Sequence, residues 1–210
     1  MALAIIADIH GQYDQYLAIA RKHEYTLQLG DFGFRYDCLD EVDPEKHKVI
    51  SGNHDDVLEL AKKPHCLGDF GNFTLGGVTA FWVRGAFSID WQYRVSYDHA
   101  HGTKSWWPEE QLSLPQMNDC LALYKQTKPD IVISHSAPRE IANKIGSPGI
   151  LREYGFDPET FTTSTQELLQ SMADFHQPKM HVFGHLHKKR ELTYRGTRYI
   201  CLPELGVRTI

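Results

Sequence analysis

Five short clusters hold the residues able to do chemistry: Asp8-Ile9-His10, Gly30-Asp31, Gly52-Asn53-His54-Asp55, Ser134-His135 and Gly184-His185-Leu186-His187. Asp8 and His10, two apart on extended backbone, point to one side and can share a divalent ion. Asp31 can bridge two cations with its two oxygens. Asn53 offers a neutral carbonyl, while the adjacent His54 points elsewhere and stays free to exchange protons. His185 and His187 repeat the i, i+2 spacing after a glycine. Taken alone, Asp8-x-His10 and Asp31 read more simply as strand-end turns and His135 equally well as a core histidine; five clusters in this order read as a binuclear metal site. The donors Asp8, Asp31 and Asn53 with His10, His135, His185 and His187 suit Mn²⁺, with Fe or Zn²⁺ as alternatives, better than oxygen-seeking Mg²⁺. The chemistry would be phosphoester hydrolysis. Two ions about 3.5–4 Å apart acidify a water that attacks phosphorus in line.

Positioning these residues requires strands that end where the clusters begin. Apolar runs at 3–7, 26–29, 48–51, 131–134 and 180–183 read as such strands. Loops at strand carboxyl ends are where an open α/β sheet builds its sites. Helices are predicted at 13–22, 56–62 and 165–175, and another opens at Pro108-Glu109-Glu110. Residues 73–83 read as a hairpin turning at Gly76-Gly77, and 190–194 with 198–202 as a closing pair. Residues 84–107 read as one long functional loop. The expected fold is α/β: a four-layer α/β/β/α sandwich of two packed mixed sheets flanked by helices, forming a single domain over 1–210.

With 41% hydrophobic and 23% charged residues, the 210-residue chain has a globular composition and length enough for a core without disulfides. The net charge of −5 argues against broad attraction to nucleic acid or anionic membrane. The four cysteines form no CxxC pair and read as free thiols of a reducing, cytoplasmic protein. The apolar start meets Asp8 too early for a signal peptide or a bilayer span.

Asp-x-His, Gly-Asp, Gly-Asn-His-Asp, a later His and Gly-His-x-His, in this order, resemble the calcineurin-like metallophosphoesterase superfamily over nearly the whole chain. The resemblance implies that Asp8, His10, Asp31 and His187 hold one metal, and that Asp31, Asn53, His135 and His185 hold the other. It implies that His54 protonates the leaving oxygen or stabilises charge there. Asp8-Ile9-His10-Gly11-Gln12-Tyr13 is similar to the opening motif of Ser/Thr protein phosphatases, which makes phosphoprotein hydrolysis the alternative activity. In that group Arg35 occupies the position of the arginine that grips phosphate. Phe34 replaces the aspartate that pairs with the catalytic histidine, which leaves Asp55 or solvent to partner His54. The segment from Arg84 to Asp90 and Trp106-Trp107-Pro108-Glu109-Glu110-Gln111 look like small bacterial and phage phosphoesterases. Arg84 and Arg94 are candidates to line the site from this loop. His99 and His101 read as solvated, and Trp82, Trp91, Trp106 and Trp107 as core or anchoring residues rather than a base-stacking platform. The implied substrate is a phosphoester on a small molecule, nucleotide or phosphoprotein. A noncatalytic scaffold would be expected to have lost ligands, and none is lost.

Overall fold

The structure, a computed structural model, describes residues 2–210. Along the chain run β1 (Leu3–Ile6), α1 (Tyr13–Ala20), β2 (Tyr25–Gln28), a 3₁₀ turn (Asp37–Glu41), β3 (His47–Val49) and α2 (Val57–Leu60). Then follow β4 (Phe70–Leu75), β5 (Val78–Val83), α3 (Trp91–His101), a second 3₁₀ turn (Pro108–Glu110), α4 (Leu114–Thr127) and β6 (Ile131–Ser134). The remainder is α5 (Arg139–Ile145), α6 (Pro148–Glu153), α7 (Ser164–Phe175), β7 (Met180–Phe183), β8 (Arg190–Tyr194), β9 (Thr197–Cys201) and β10 (Val207–Thr209).

The strands form a four-stranded sheet in the order β10-β1-β2-β3 and a six-stranded sheet in the order β4-β5-β6-β7-β9-β8. Within each, the inner strands pair parallel and the hairpin or terminal partners antiparallel. Alternation of side chains explains the layering. Leu3 and Ile5 of β1 meet Ala80, Trp82, Ile133, Val182 and Ile200 of the larger sheet in one inter-sheet core. Ile6, on the opposite face of β1, packs under α1 with Tyr16, Leu17 and Ala20. On the far face of the larger sheet, Phe81, Val83 and Val132 lie under α4 and α7, while Phe183, Tyr199 and Cys201 lie under α5. This is the four-layer α/β/β/α arrangement. Among the described residues no helix is long and apolar enough to cross a membrane.

Several local expectations need correction. Residues 84–107 are not one long loop, because α3 occupies 11 of them. Its sequence hides the helix: Arg94 is its one buried residue, so no apolar stripe marks the period. Pro108 opens a single 3₁₀ turn, and the long helix begins at Leu114, where Ser113 and Gln116 form a capping box. The short helices α5 and α6 and the edge strand β10 carry too little pattern to be read in advance.

Candidate metal centre

The parallel strands β1, β2, β6 and β7 deliver their carboxyl ends to one edge of the sandwich, and the clusters follow immediately. The expected extended Asp8-x-His10 geometry is not what forms. β1 ends at Ile6, and Asp8, His10, Asp31, His185 and His187 all adopt positive φ, between 21° and 60°. That region costs a residue with a Cβ free energy and persists where surroundings impose it, characteristically at functional sites. The backbone turns sharply so that five side chains converge instead of fanning along strands. Close approach also dictates two glycines. A Cβ on Gly184 would lie 2.5 Å from Asp8 Oδ2, and one on Gly52 would lie 2.6 Å from His135 Nε2.

The donor atoms gather into two triads that share Asp31. His10, Asp31 and His187 form the outer one; Asp31, His135 and His185 form the inner one, with donor atoms in each within 4.8 Å of one another. His10 Nε2 lies 2.9 Å from His187 Nε2 and 3.6 Å from Asp31 Oδ2. His135 Nε2 lies 3.2 Å from Asp31 Oδ1 and 3.1 Å from Asn53 Oδ1. Asp8 sits at the base, where both oxygens accept the His185 N–H at 3.1 and 3.0 Å.

This donor set fits a cation. His135 Nδ1 is 2.7 Å from the Leu29 carbonyl, an acceptor, so the proton of a neutral ring belongs there. Nε2 then presents a lone pair to two further acceptors, Asp31 Oδ1 and Asn53 Oδ1. Only positive charge reconciles three acceptors at such distances. Without a metal the ring itself must supply it. Burial disfavours charging His135, but Asp31 and Asp8 together outweigh burial and lift it to about 9. The other groups show the same crowding. Burial, with Asp31 nearby, raises Asp8 to about 7. Burial works against Asp31 too, yet the surrounding histidines hold its carboxyl well below the usual range. Burial lowers His185 to about 3 and also lowers His187, with neighbouring histidines adding to both effects.

Further contacts orient the ligands. Asn53 Nδ2 donates to Ser88 Oγ at 3.0 Å, and Ser88 Oγ and N donate to the two Glu110 oxygens at 2.6 and 2.9 Å. The chain from Glu110 through Ser88 thus turns the Asn53 carbonyl toward His135. Neither Ser88 nor Glu110 stood out in the sequence, where Glu110 reads as a helix-opening acid. Asp55 does not partner His54. Its oxygens accept the Gly52, Phe32 and Gly33 N–H groups at 2.7, 2.8 and 3.0 Å, tying the Asp31 loop to the Asn53 loop.

His54 instead meets Arg94, whose Nη2 lies 2.6 Å from Nδ1 and 2.8 Å from Nε2. The guanidinium is anchored by Asp90 at 2.8 Å and the Ser105 carbonyl at 3.1 Å. Burial, reinforced by Arg94, lowers His54 to about 4. Arg35 and Arg84 are not brought to the cluster. Arg35 is exposed, pairs with Asp37 at 3.1 Å and lies over the Tyr13 ring. Arg84 is buried against Asp69 at 2.5 Å and the Glu109 carbonyl at 2.7 Å. Phe34 packs on Trp107, and the rings of Trp91 and Trp106 pack on each other. His101 stacks on Tyr97 at the end of α3.

Asp31, Asn53, His54, His185 and His187 line a cleft of about 490 Å³, together with Phe87, Ile89, Ile150, Leu151, Phe161 and Gln166.

The family model for calcineurin-like phosphoesterases matches residues 1–189. Comparison with curated proteins by sequence returns no match. Among solved structures, the chain is similar to a dimetal phosphatase from Danio rerio, at 15% identity and TM-score 0.58, covering all of this chain and 91% of the other. It is also similar to the phosphopantetheinyl hydrolase of Mycobacterium tuberculosis, at 15% identity and TM-score 0.53, covering all of this chain and 95% of the other. At such identity these two likenesses speak to the fold. The match over 189 residues carries the assignment: the chain belongs to the calcineurin-like phosphoesterase family, hydrolases of phosphoric esters whose chemistry implies a binuclear divalent-metal centre.

Proposed function

We propose that the chain hydrolyses phosphate mono- or diesters of small molecules, with Asp8, His10, Asp31 and His187 holding one divalent ion. Asp31, Asn53, His135 and His185 hold the second, and Mn²⁺ is the expected metal. The observation that carries this reading is the pair of donor triads sharing Asp31 at the head of an open cleft. Bound there, the two ions would neutralise phosphoryl charge and lower the pKa of water.

The chain's own residues supply the rest. Asp31 orients the turn bearing the catalytic candidate, since its Oδ1 accepts the His54 N–H at 2.8 Å. His54 stands at the cleft wall as a neutral ring, and Arg94 fixes its plane. A guanidinium only donates, so the ring nitrogens it faces serve as acceptors, and His54 would have to swing off Arg94 Nη2 to carry a proton toward the leaving oxygen. The reading needs neither Arg35 nor Arg84 on the substrate, because both are engaged elsewhere. A phosphoprotein activity rests on the opening motif, and the exposed position of Arg35 gives it no support.

The test is a panel assay. Protein reconstituted with Mn²⁺ is offered a generic monoester, a generic diester, cyclic nucleotides and a phosphopeptide. Turnover of a small ester that vanishes on chelation and returns with metal is expected. Full activity after exhaustive chelation would contradict the reading.

A further inference from the structure

Glu110 is a carboxylate outside the ligand set, yet it is only 2% exposed. Contacts with the loop after β5 fix its place. A Cβ on Gly85, whose φ is +86°, would collide with the Glu110 carbonyl, so that loop lies directly against the second 3₁₀ turn. Arg84 Nη1 holds the turn by donating to the Glu109 carbonyl at 2.7 Å. The Gly85 N–H donates to the Ser51 carbonyl at 2.8 Å, which ties the same loop to the segment bearing Asn53.

A buried carboxylate needs donors. Ser88 supplies two, its N–H to Oε1 at 2.9 Å and its hydroxyl to Oε2 at 2.6 Å. Burial raises Glu110, and both of these donors oppose the rise. The hydroxyl bond also has a direction. A serine hydroxyl carries one proton, and a carboxylate can only accept it. With that proton given to Glu110, the Ser88 oxygen can only accept from its other neighbour. That neighbour is Asn53, whose Nδ2 lies 3.0 Å away and whose Oδ1 lies 3.1 Å from His135 Nε2. The two ends of a carboxamide are alike in shape, but only the oxygen can hold a cation.

We propose that Glu110 is a positioning residue that sets the polarity of Asn53: its charge, acting through the Ser88 hydroxyl, selects the carboxamide orientation in which the oxygen faces the ion site. The inference rests on the metal reading of Asn53 and deepens it, because the charge of Glu110, rather than its bulk, does the selecting. A Glu110 that only filled space would be replaced by glutamine without effect on metal.

The experiment titrates metal-free protein with Mn²⁺ by calorimetry, and heteronuclear NMR of the metal-free protein follows the Asn53 side-chain amide. Glu110→Gln keeps the shape but brings an amide that can donate to Ser88, which frees the hydroxyl to donate to Asn53. Affinity for the more tightly held ion should fall about tenfold. The Asn53 Nδ2 protons should lose the slow exchange that a bond to Ser88 gives. Ser88→Ala deletes the hydroxyl outright and should lower affinity by a similar factor. Asn53→Asp supplies the decisive comparison, since a carboxylate has no wrong end and competes with Glu110 for the one Ser88 proton. In that background Glu110→Gln should leave affinity unchanged or raise it. An equal loss in both backgrounds would make Glu110 a structural prop and overturn the proposal. If Mn²⁺ binds alike to wild type and Glu110→Gln, this inference fails and the metal reading stands. If wild type takes up no Mn²⁺ while the Asn53 amide still responds to Glu110→Gln, the metal reading fails and the polarity relay stands.

Discussion

The two halves of the metal centre are built from the same donor types but set in different surroundings. In the inner triad His135 is fully buried, pinned by the Leu29 carbonyl, and flanked by an Asn53 that Ser88 and Glu110 hold in place. The outer triad is open: the His10 side chain is 23% exposed, and His187 is an exposed residue. Asp31 belongs to both. Outer partners that fix a ligand's orientation raise its metal affinity, often by about 10–100-fold. With both ions bound as proposed, the contrast would make one tightly held and the other exchangeable, with Asp31 common to the two donor sets.

The largest effect should follow from the shared residue. Asp31→Asn removes the carboxylate charge common to both proposed ion sites and should reduce kcat/KM by at least about a thousandfold, several kcal/mol of barrier. Metal content should fall at both sites, which mass spectrometry of the native protein would read. A mutant that keeps two ions and full turnover would end the bridging role.

Next in size is His54, which touches Asp31 through its backbone and Arg94 through its ring. His54→Ala should cost about 10²–10⁴-fold in kcat while both metals stay bound. The loss should shrink for esters with very acidic leaving groups, measured as a leaving-group series. Loss of a metal ion instead would make His54 a ligand.

A smaller effect belongs to the core behind the site. His181 is buried under Ser134, 2.6 Å from its Oγ, and burial lowers it to about 3. A depressed histidine stays neutral in the fold but takes up a proton when unfolded below about pH 6.5. Its contribution is therefore full above pH 6.5 and is lost as pH falls toward 3, by up to about 1.4 kcal/mol per pH unit. The advantage of wild type over His181→Gln in urea midpoints should narrow from pH 7 to pH 5. A constant gap would show that this ring does not titrate on unfolding.

The smallest effect is expected at Arg35, whose exposed pairing with Asp37 is worth little. Arg35→Ala should change kcat/KM less than about twofold for monoester and diester alike. A selective loss on monoesters would return Arg35 to the phosphate.

What the sequence made legible follows from what each feature needs. A ligand must be a particular residue type at a particular place, so type and order single out Asp8, His10, Asp31, Asn53, His135, His185 and His187 as candidates, and the fold brings Asp31 together with His10 and His187 and with His135 and His185. The strands before them were visible because β1 is an unbroken apolar run, β6 and β7 are largely apolar, and all three are buried on both faces. The backbone at the ligands was not visible, since left-handed Asp8 and His10 are imposed by tertiary packing. Nor was α3, whose faces are nearly all polar. The Arg94–His54 contact joins residues far apart in the chain, and no local pattern announces it.

The measurement closest to the central claim is a calorimetric titration of metal-free protein with Mn²⁺, repeated on His187→Ala and His135→Ala. Wild type should take up two ions per chain in two resolved steps. His187→Ala should keep the tight step and lose the weak one, whereas His135→Ala should weaken the tight step by about 10–100-fold or more. A single step in wild type, or equal damage from the two substitutions, would contradict an asymmetric centre built around Asp31.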